Sequence, residues 1–172
     1  FSEYGKSYSD RLVGGFEEFN DSITPRVRFL DEEHACVFAD GQLGFFLLEN
    51  VTSPELAFQI PGAGEIQTGA YSDEYVAVIS DHPDAEYDSK LDLYSAAGEL
   101  IFSREFTYPW QNIEINRDFI ILYNDRSCRI YSTAGKERYS GEFDFTVSMI
   151  TRGRAANSLI ITGGDRMREI RL

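Results

Sequence analysis

The sequence predicts an all-β, β-propeller-like fold of about four blades, each a four-stranded antiparallel sheet, with the last blade incomplete. Three observations carry this reading. A 15-residue stretch recurs at an offset of 37 residues with 7 positions identical. Four short runs of apolar, β-branched or aromatic residues are spaced along the chain, as expected of strands buried on both faces. No segment keeps the 3.6-residue period of an amphipathic helix, so almost no helix is expected. Repeated four-strand units spaced by about 40 residues mark a propeller. A β-sandwich also offers short strands and frequent turns, but it does not demand the 37-residue self-similarity.

The elements follow in order within a single domain, 1–172. Residues 1–20 hold one strand candidate, Arg11 to Phe16, a stray from a preceding or closing blade. The first blade, 25–60, has Arg26 to Leu30, the run Cys36-Val37-Phe38, and LLENVTSPELAFQI (47–60). In that last stretch a longer connection with Pro54 replaces a tight turn. The second blade, 65–106, has Ile66 to Tyr71, the run Tyr75 to Ile79, and DLYSAAGELIFSREF (92–106). The third, 111–143, has Asn112 to Asn116, the run Phe119 to Tyr123, and RIYSTAGKERYSGEF (129–143). Each of the two repeated stretches reads as strand, tight turn, strand, with Gly98 and Gly135 supplying the positive φ of the turn. The fourth, 146–172, has Thr146 to Ile150, the run Leu159 to Ile161, and Met167 to Leu172, with room for three strands. Outer strands are expected to alternate, as in Lys90-Leu91-Asp92-Leu93 and Arg168-Glu169-Ile170-Arg171.

Charge bounds the function. The chain carries 16 Lys+Arg against 29 Asp+Glu, a net of −13. Residues 1–90 hold 5 basic and 18 acidic residues, whereas 91–172 hold 11 of each. That balance argues against sequence-independent binding to nucleic acid, which needs a basic face. No stretch approaches the roughly 20 apolar residues of a membrane-spanning helix. The chain opens at Phe1 with no signal peptide in view, and reads as a fragment or processed chain. Cys36 and Cys128 fall on different blades without C-x-x-C spacing, and are expected as buried free thiols rather than a zinc or redox pair.

The stretches DRLVGGFEEFNDSITPRVRFLD (10–31), EIQTGAYSDEYVAVI (65–79) and ILYNDRSCRIYSTAGK (121–136) resemble an uncharacterised, domain-of-unknown-function family of bacterial propeller-like proteins. The resemblance covers essentially the whole chain and falls on the C-terminal half of that family's repeat domain. It implies a parent protein with a short cytoplasmic start, one transmembrane helix and a repeat domain outside the cell. It carries no catalytic motif. It also implies earlier blades, which favours an open arc, with edges capped by a second copy, over a four-blade ring closed by Arg11–Phe16 pairing with 167–172.

Few residues point to chemistry. His34 and His82 read as loop histidines, and no G-x-S-x-G or other nucleophile context accompanies them. The loop Asp81-His82-Pro83-Asp84-Ala85-Glu86-Tyr87-Asp88 gathers carboxylates from Asp81, Asp84, Glu86 and Asp88. Oxygen-rich loops can hold calcium, but the EF-hand spacing and its glycine are missing, so a solvated hairpin loop is the competing reading. Tyr108-Pro109-Trp110 links two blades and holds the only Trp. Trp110, with Tyr108, either anchors a partner or plugs the seam between blades. No cofactor motif is present. The function expected is a non-enzymatic recognition or scaffold domain of the cell envelope, with a protein or envelope polymer as partner. The alternative is an enzyme or small-ligand binder using the central channel, which rests on fold analogy alone.

Overall fold

The computed structural model describes residues 26–39, 42–49, 54–60, 66–82 and 86–172. All regular structure there is β, in four antiparallel sheets whose strands follow one another in chain order. The first sheet comprises β1 (Arg26–Phe29), β2 (His34–Ala39), β3 (Gln42–Leu47) and β4 (Glu55–Ile60). The second comprises β5 (Ile66–Tyr71), β6 (Tyr75–Asp81), β7 (Ser89–Ser95) and β8 (Leu100–Phe106). The third comprises β9 (Asn112–Asn116), β10 (Phe119–Tyr123), β11 (Ser127–Ser132) and β12 (Glu137–Glu142). The last has three strands: β13 (Met149–Arg152), β14 (Ser158–Gly163) and β15 (Arg166–Arg171). The first strands of the second and third sheets, β5 and β9, run beside each other. The candidate strand Arg11–Phe16 lies outside the described residues, and with it the question of ring or arc.

The sheets stack face to face, and the middle strands explain the continuous apolar runs. Successive side chains of a strand point to opposite faces. In β6, Val76 and Val78 enter the seam with the first sheet, while Ala77 and Ile79 enter the seam with the third. In β10, Ile120 and Leu122 face the second sheet, while Ile121 and Tyr123 face the fourth. A strand with no solvent face has no place for a polar alternation. The third strands behave alike: Leu91 and Leu93 of β7 go one way and Tyr94 the other, as do Cys128 and Ile130 of β11 against Tyr131.

The 37-residue repeat is a hairpin, and its identical residues have identical work. In the β7–β8 turn the Gly98 N–H donates to the Ser95 carbonyl at 3.0 Å, and the Ser95 N–H donates to the Glu99 carbonyl at 2.9 Å. The Glu99 N–H donates to Ser95 Oγ at 3.1 Å. In the β11–β12 turn Gly135, Ser132 and Lys136 reproduce all three bonds, at 2.8, 2.8 and 3.2 Å. Gly98 and Gly135 have φ of 84° and 77°, as the turn requires. Each glycine also lies on an aromatic ring of the preceding sheet. A Cβ on Gly98 would come 3.0 Å from Phe45 Cγ, and one on Gly135 would come 2.9 Å from Phe102 Cγ.

Three local readings of the sequence are corrected. Lys90 to Leu93 is not an outer, alternating segment: it lies in the third strand, β7, with Leu91, Asp92 and Leu93 all buried. The burial of Asp92 is compensated in part: its Oδ2 sits 3.1 Å from Lys90 Nζ, while its Oδ1 is buried without a hydrogen-bond partner. The fourth sheet begins at Met149 rather than Thr146, because the preceding backbone is used elsewhere: the Val147 N–H donates to the Asp125 carbonyl of the third sheet at 2.8 Å, and Val147 is buried. His34 is the first residue of β2, not a loop residue. Asp31 makes the turn before it, its Oδ1 accepting the N–H groups of Glu33 and His34, each at 2.7 Å, while the His34 ring nitrogen lies 2.9 Å away. Slight burial pushes the Asp31 carboxyl up, but these bonds outweigh it and hold the group below its ordinary value.

Cys36 in β2 and Cys128 in β11 are free, fully buried and in different sheets. Burial pushes both thiols up to about 12. Two tests follow. Replacing Gly98 or Gly135 with Ala should cost roughly 2 kcal/mol, since positive φ and the ring below both oppose a Cβ. Gly164, at φ 59° with nothing within 4 Å of a Cβ, should cost only about 1 kcal/mol on the same change. Equal losses in denaturant melts would remove the ring contact from the account. For the thiols, a thiol reagent at pH 8 should leave both cysteines unmodified in the native chain and label both after unfolding without reductant. Labelling of neither after unfolding would show an oxidised pair.

Candidate functional site

The connection between the second and third sheets, Thr107 to Gln111, is short and aromatic. Its shape is set by a bond within it and by bonds to the third sheet. Asn124 Nδ2 donates to the Pro109 carbonyl at 2.8 Å, the Trp110 N–H to the Tyr108 carbonyl at 2.7 Å, and the Gln111 N–H to the Tyr123 carbonyl at 3.0 Å. Tyr108 is buried in the seam, and its hydroxyl lies 2.9 Å from Ser127 Oγ. Burial, the largest influence, pushes its phenol up, against the bond to Ser127. The Arg129 guanidinium lies 4.9 Å from the centre of the Tyr108 ring. Trp110 is half-buried against the seam between β6–β7 and β10–β11, with Nε1 3.4 Å from Ser89 Oγ.

The acidic loop meets this connection. Thr107 Oγ1 donates to the Glu86 carbonyl at 3.2 Å. His82, which follows β6, places Nε2 2.9 Å from Glu105 Oε1 at the end of β8. The His82 and Tyr87 rings meet edge-on with centres 6.4 Å apart. Two features separated by some twenty residues in sequence thus form one surface, with Glu86 and Asp88 exposed beside a half-exposed Trp110. The four carboxylates of the loop are not all brought together by what is described. Asp84 lies outside the described residues, and Asp81 is engaged by the Gln67 side-chain amide of β5. Among the described residues no three His, Cys, Asp or Glu side chains gather closely enough to hold a metal.

Sequence reasoning selected Trp110 and Tyr108 but not Arg129, Ser127 or Ser89, which position them. The repeat contains a usable signal for Arg129: it occupies the third strand two residues before Tyr131, where Asp92 precedes Tyr94. On the inner strand β9, Glu114 accepts a hydrogen bond from the Tyr123 hydroxyl at 2.7 Å, and burial with that bond raises Tyr123 to about 12. No described helix is long and apolar enough to cross a membrane.

With the geometry in hand, the chain can be set beside known proteins. Among curated proteins none matches it. Solved structures do, as a fold. HIRA(644–1017) is similar at a TM-score of 0.55 and 12% identity, over 84% of this chain and 48% of that one. BBS1N, solved in complex with ARL6DN, gives 0.54 and 15%, over 83% and 48%. BamB from Moraxella catarrhalis gives 0.49 and 16%, over 85% and 41%. The chain therefore spans about half the length of these structures or less. At such identities the likeness shows the fold alone, and that fold is the β-propeller, as the sequence predicts. The expected membership of a family without known function also holds: a family model matches residues 1–172, and this chain belongs to that family of unknown function, DUF5711.

Proposed function

We propose that this chain is part of a non-enzymatic recognition or scaffold domain on the outer side of a bacterial cell envelope, held there by a membrane anchor elsewhere in the full protein. Its partner is a protein or an envelope polymer. The observation that supports this reading best is the composite surface at the second seam, where Trp110 stands beside Glu86 and Asp88. A large aromatic fixed by backbone bonds loses little side-chain entropy on binding, which suits a contact residue. The exposed carboxylates next to it suit a partner surface with basic or amide groups. BBS1N, one of the similar propellers, was solved with a protein partner, which is compatible with such a use of the fold.

The test has two parts. In cells making the full-length protein, added protease should degrade the domain without lysis, and protection would overturn the envelope placement. For the surface, a photo-crosslinking residue at exposed Gln111 should give a discrete adduct with envelope material. Trp110→Ala should reduce that adduct about tenfold, and Glu86→Gln with Asp88→Asn should reduce it while leaving the melting temperature unchanged. An adduct indifferent to all three substitutions would remove this surface from the proposal.

A further inference from the structure

We propose that the cavity between β1 and β5 is a binding site for a small ligand with an oxyanion head, carboxylate or phosphate, on a short apolar stem. The proposal stands apart from the partner surface, which lies at a different seam. The cavity has a volume of about 170 Å³, several times the roughly 30 Å³ that one water occupies in the liquid. Arg26 and Arg28 of β1 line it, with Thr68 and Tyr71 of β5 opposite and Phe38 and Ile66 as apolar wall.

The two arginines are placed together by strand geometry. They are two residues apart and so share one face of β1, whereas Val27 between them packs on the other face of the sheet. Among the described residues no carboxylate lies within ion-pair distance of either guanidinium. That is unexpected in a half-chain with 18 acidic and only 5 basic residues, of which these are two. Arg28 is held by the Tyr71 ring, its guanidinium 5.0 Å from the ring centre, which leaves the planar fork of N–H donors at its edge available. A guanidinium fork binds carboxylate or phosphate through paired, charge-assisted hydrogen bonds.

The apolar wall is also built. A Cβ on Gly69 would come 2.9 Å from Phe38 Cε1 and 3.0 Å from the Ala77 carbonyl. The bare glycine therefore lets the Phe38 ring lie against β5. Two adjacent cations, a neutral hydroxyl from Thr68 and an aromatic wall together select an amphiphilic anion over a neutral or cationic molecule.

Butyrate and propyl phosphate are the probes, with butyramide as the neutral control, titrated into the 172-residue chain by NMR. One or both anions should bind saturably and shift the amides of Thr68 and Tyr71, while butyramide should not. Arg26→Ala and Arg28→Ala should each weaken binding about tenfold or more. Arg28→Lys, which keeps the charge but loses the fork, should fall between. Response to butyrate alone or to propyl phosphate alone identifies the head group. Binding of neither anion, equal binding of butyramide, or affinity unchanged in both alanine variants with native melting temperatures would overturn the site.

Discussion

Burial of the middle strands on both faces is the constraint from which the rest of this structure follows. A sheet that is apolar on two sides cannot stand alone in water, so each must be sandwiched by its neighbours. Val76 and Val78 bind the second sheet to the first while Ala77 and Ile79 bind it to the third. Ile120 with Leu122, and Ile121 with Tyr123, do the same one sheet later. The cores are thus seams between units and not centres of units. Removing a side chain such as Ile121 would open a void in one seam and cost several kcal/mol. Because adjoining seams share a strand, the loss would be felt through the ladder by both neighbours.

The seam also explains why the repeat keeps the residues it does. A tight turn in one hairpin must clear a ring in the sheet before it, so Gly98 stands over Phe45 and Gly135 over Phe102. Tyr94 and Tyr131 occupy the same place in the two hairpins and both reach back to the preceding sheet. Tyr94 meets Phe45 at 5.6 Å between ring centres, and Tyr131 lies under Arg104 at 5.0 Å. The serines close the turns. What looks in sequence like a repeated motif within one hairpin is therefore half a set of inter-sheet contacts.

Much of the fold was legible because a strand with two buried faces writes itself as an unbroken apolar run, and a positive-φ turn writes itself as glycine. The misreadings have equally local causes. Lys90-Leu91-Asp92-Leu93 imitates a half-exposed strand because Lys90 and Asp92 neutralise each other at the edge of a seam. Thr146 to Ser148 imitates strand because its composition is β-like, while the Val147 N–H turns away to the Asp125 carbonyl and only Ser148, next to Met149, bonds to β14 at Thr162. The candidate sites were less legible. Trp110 and the acidic loop were each visible, but their meeting depends on the register that pairs Asp81 with Ser89 and sets Ser89 opposite Phe106. The cavity beside Arg26 was hidden because β1 and β5 belong to different sheets.

Arginine use ties these threads together. The chain has 13 Arg and 3 Lys, and the difference is physical. A flat guanidinium can lie on an aromatic ring and stay solvated at its edge, whereas an ammonium is a compact, strongly hydrated charge. Arg28 over Tyr71, Arg104 over Tyr131, Arg129 over Tyr108 and Arg168 over Phe143 all follow this pattern. All four join different sheets or a sheet and its connection. They cover the seams where strand ladders end, and Arg104 adds a bond from its Nη2 to the Gly135 carbonyl at 3.1 Å. In these four places arginine is a packing residue that happens to be charged. Arg26 is not one of these four: among the described residues it lies on no ring and faces no carboxylate, and it lines the cavity between β1 and β5. A cation without a packing partner, at the wall of a cavity beside a second cation already held in place, supplies charge there beyond what the seam itself requires.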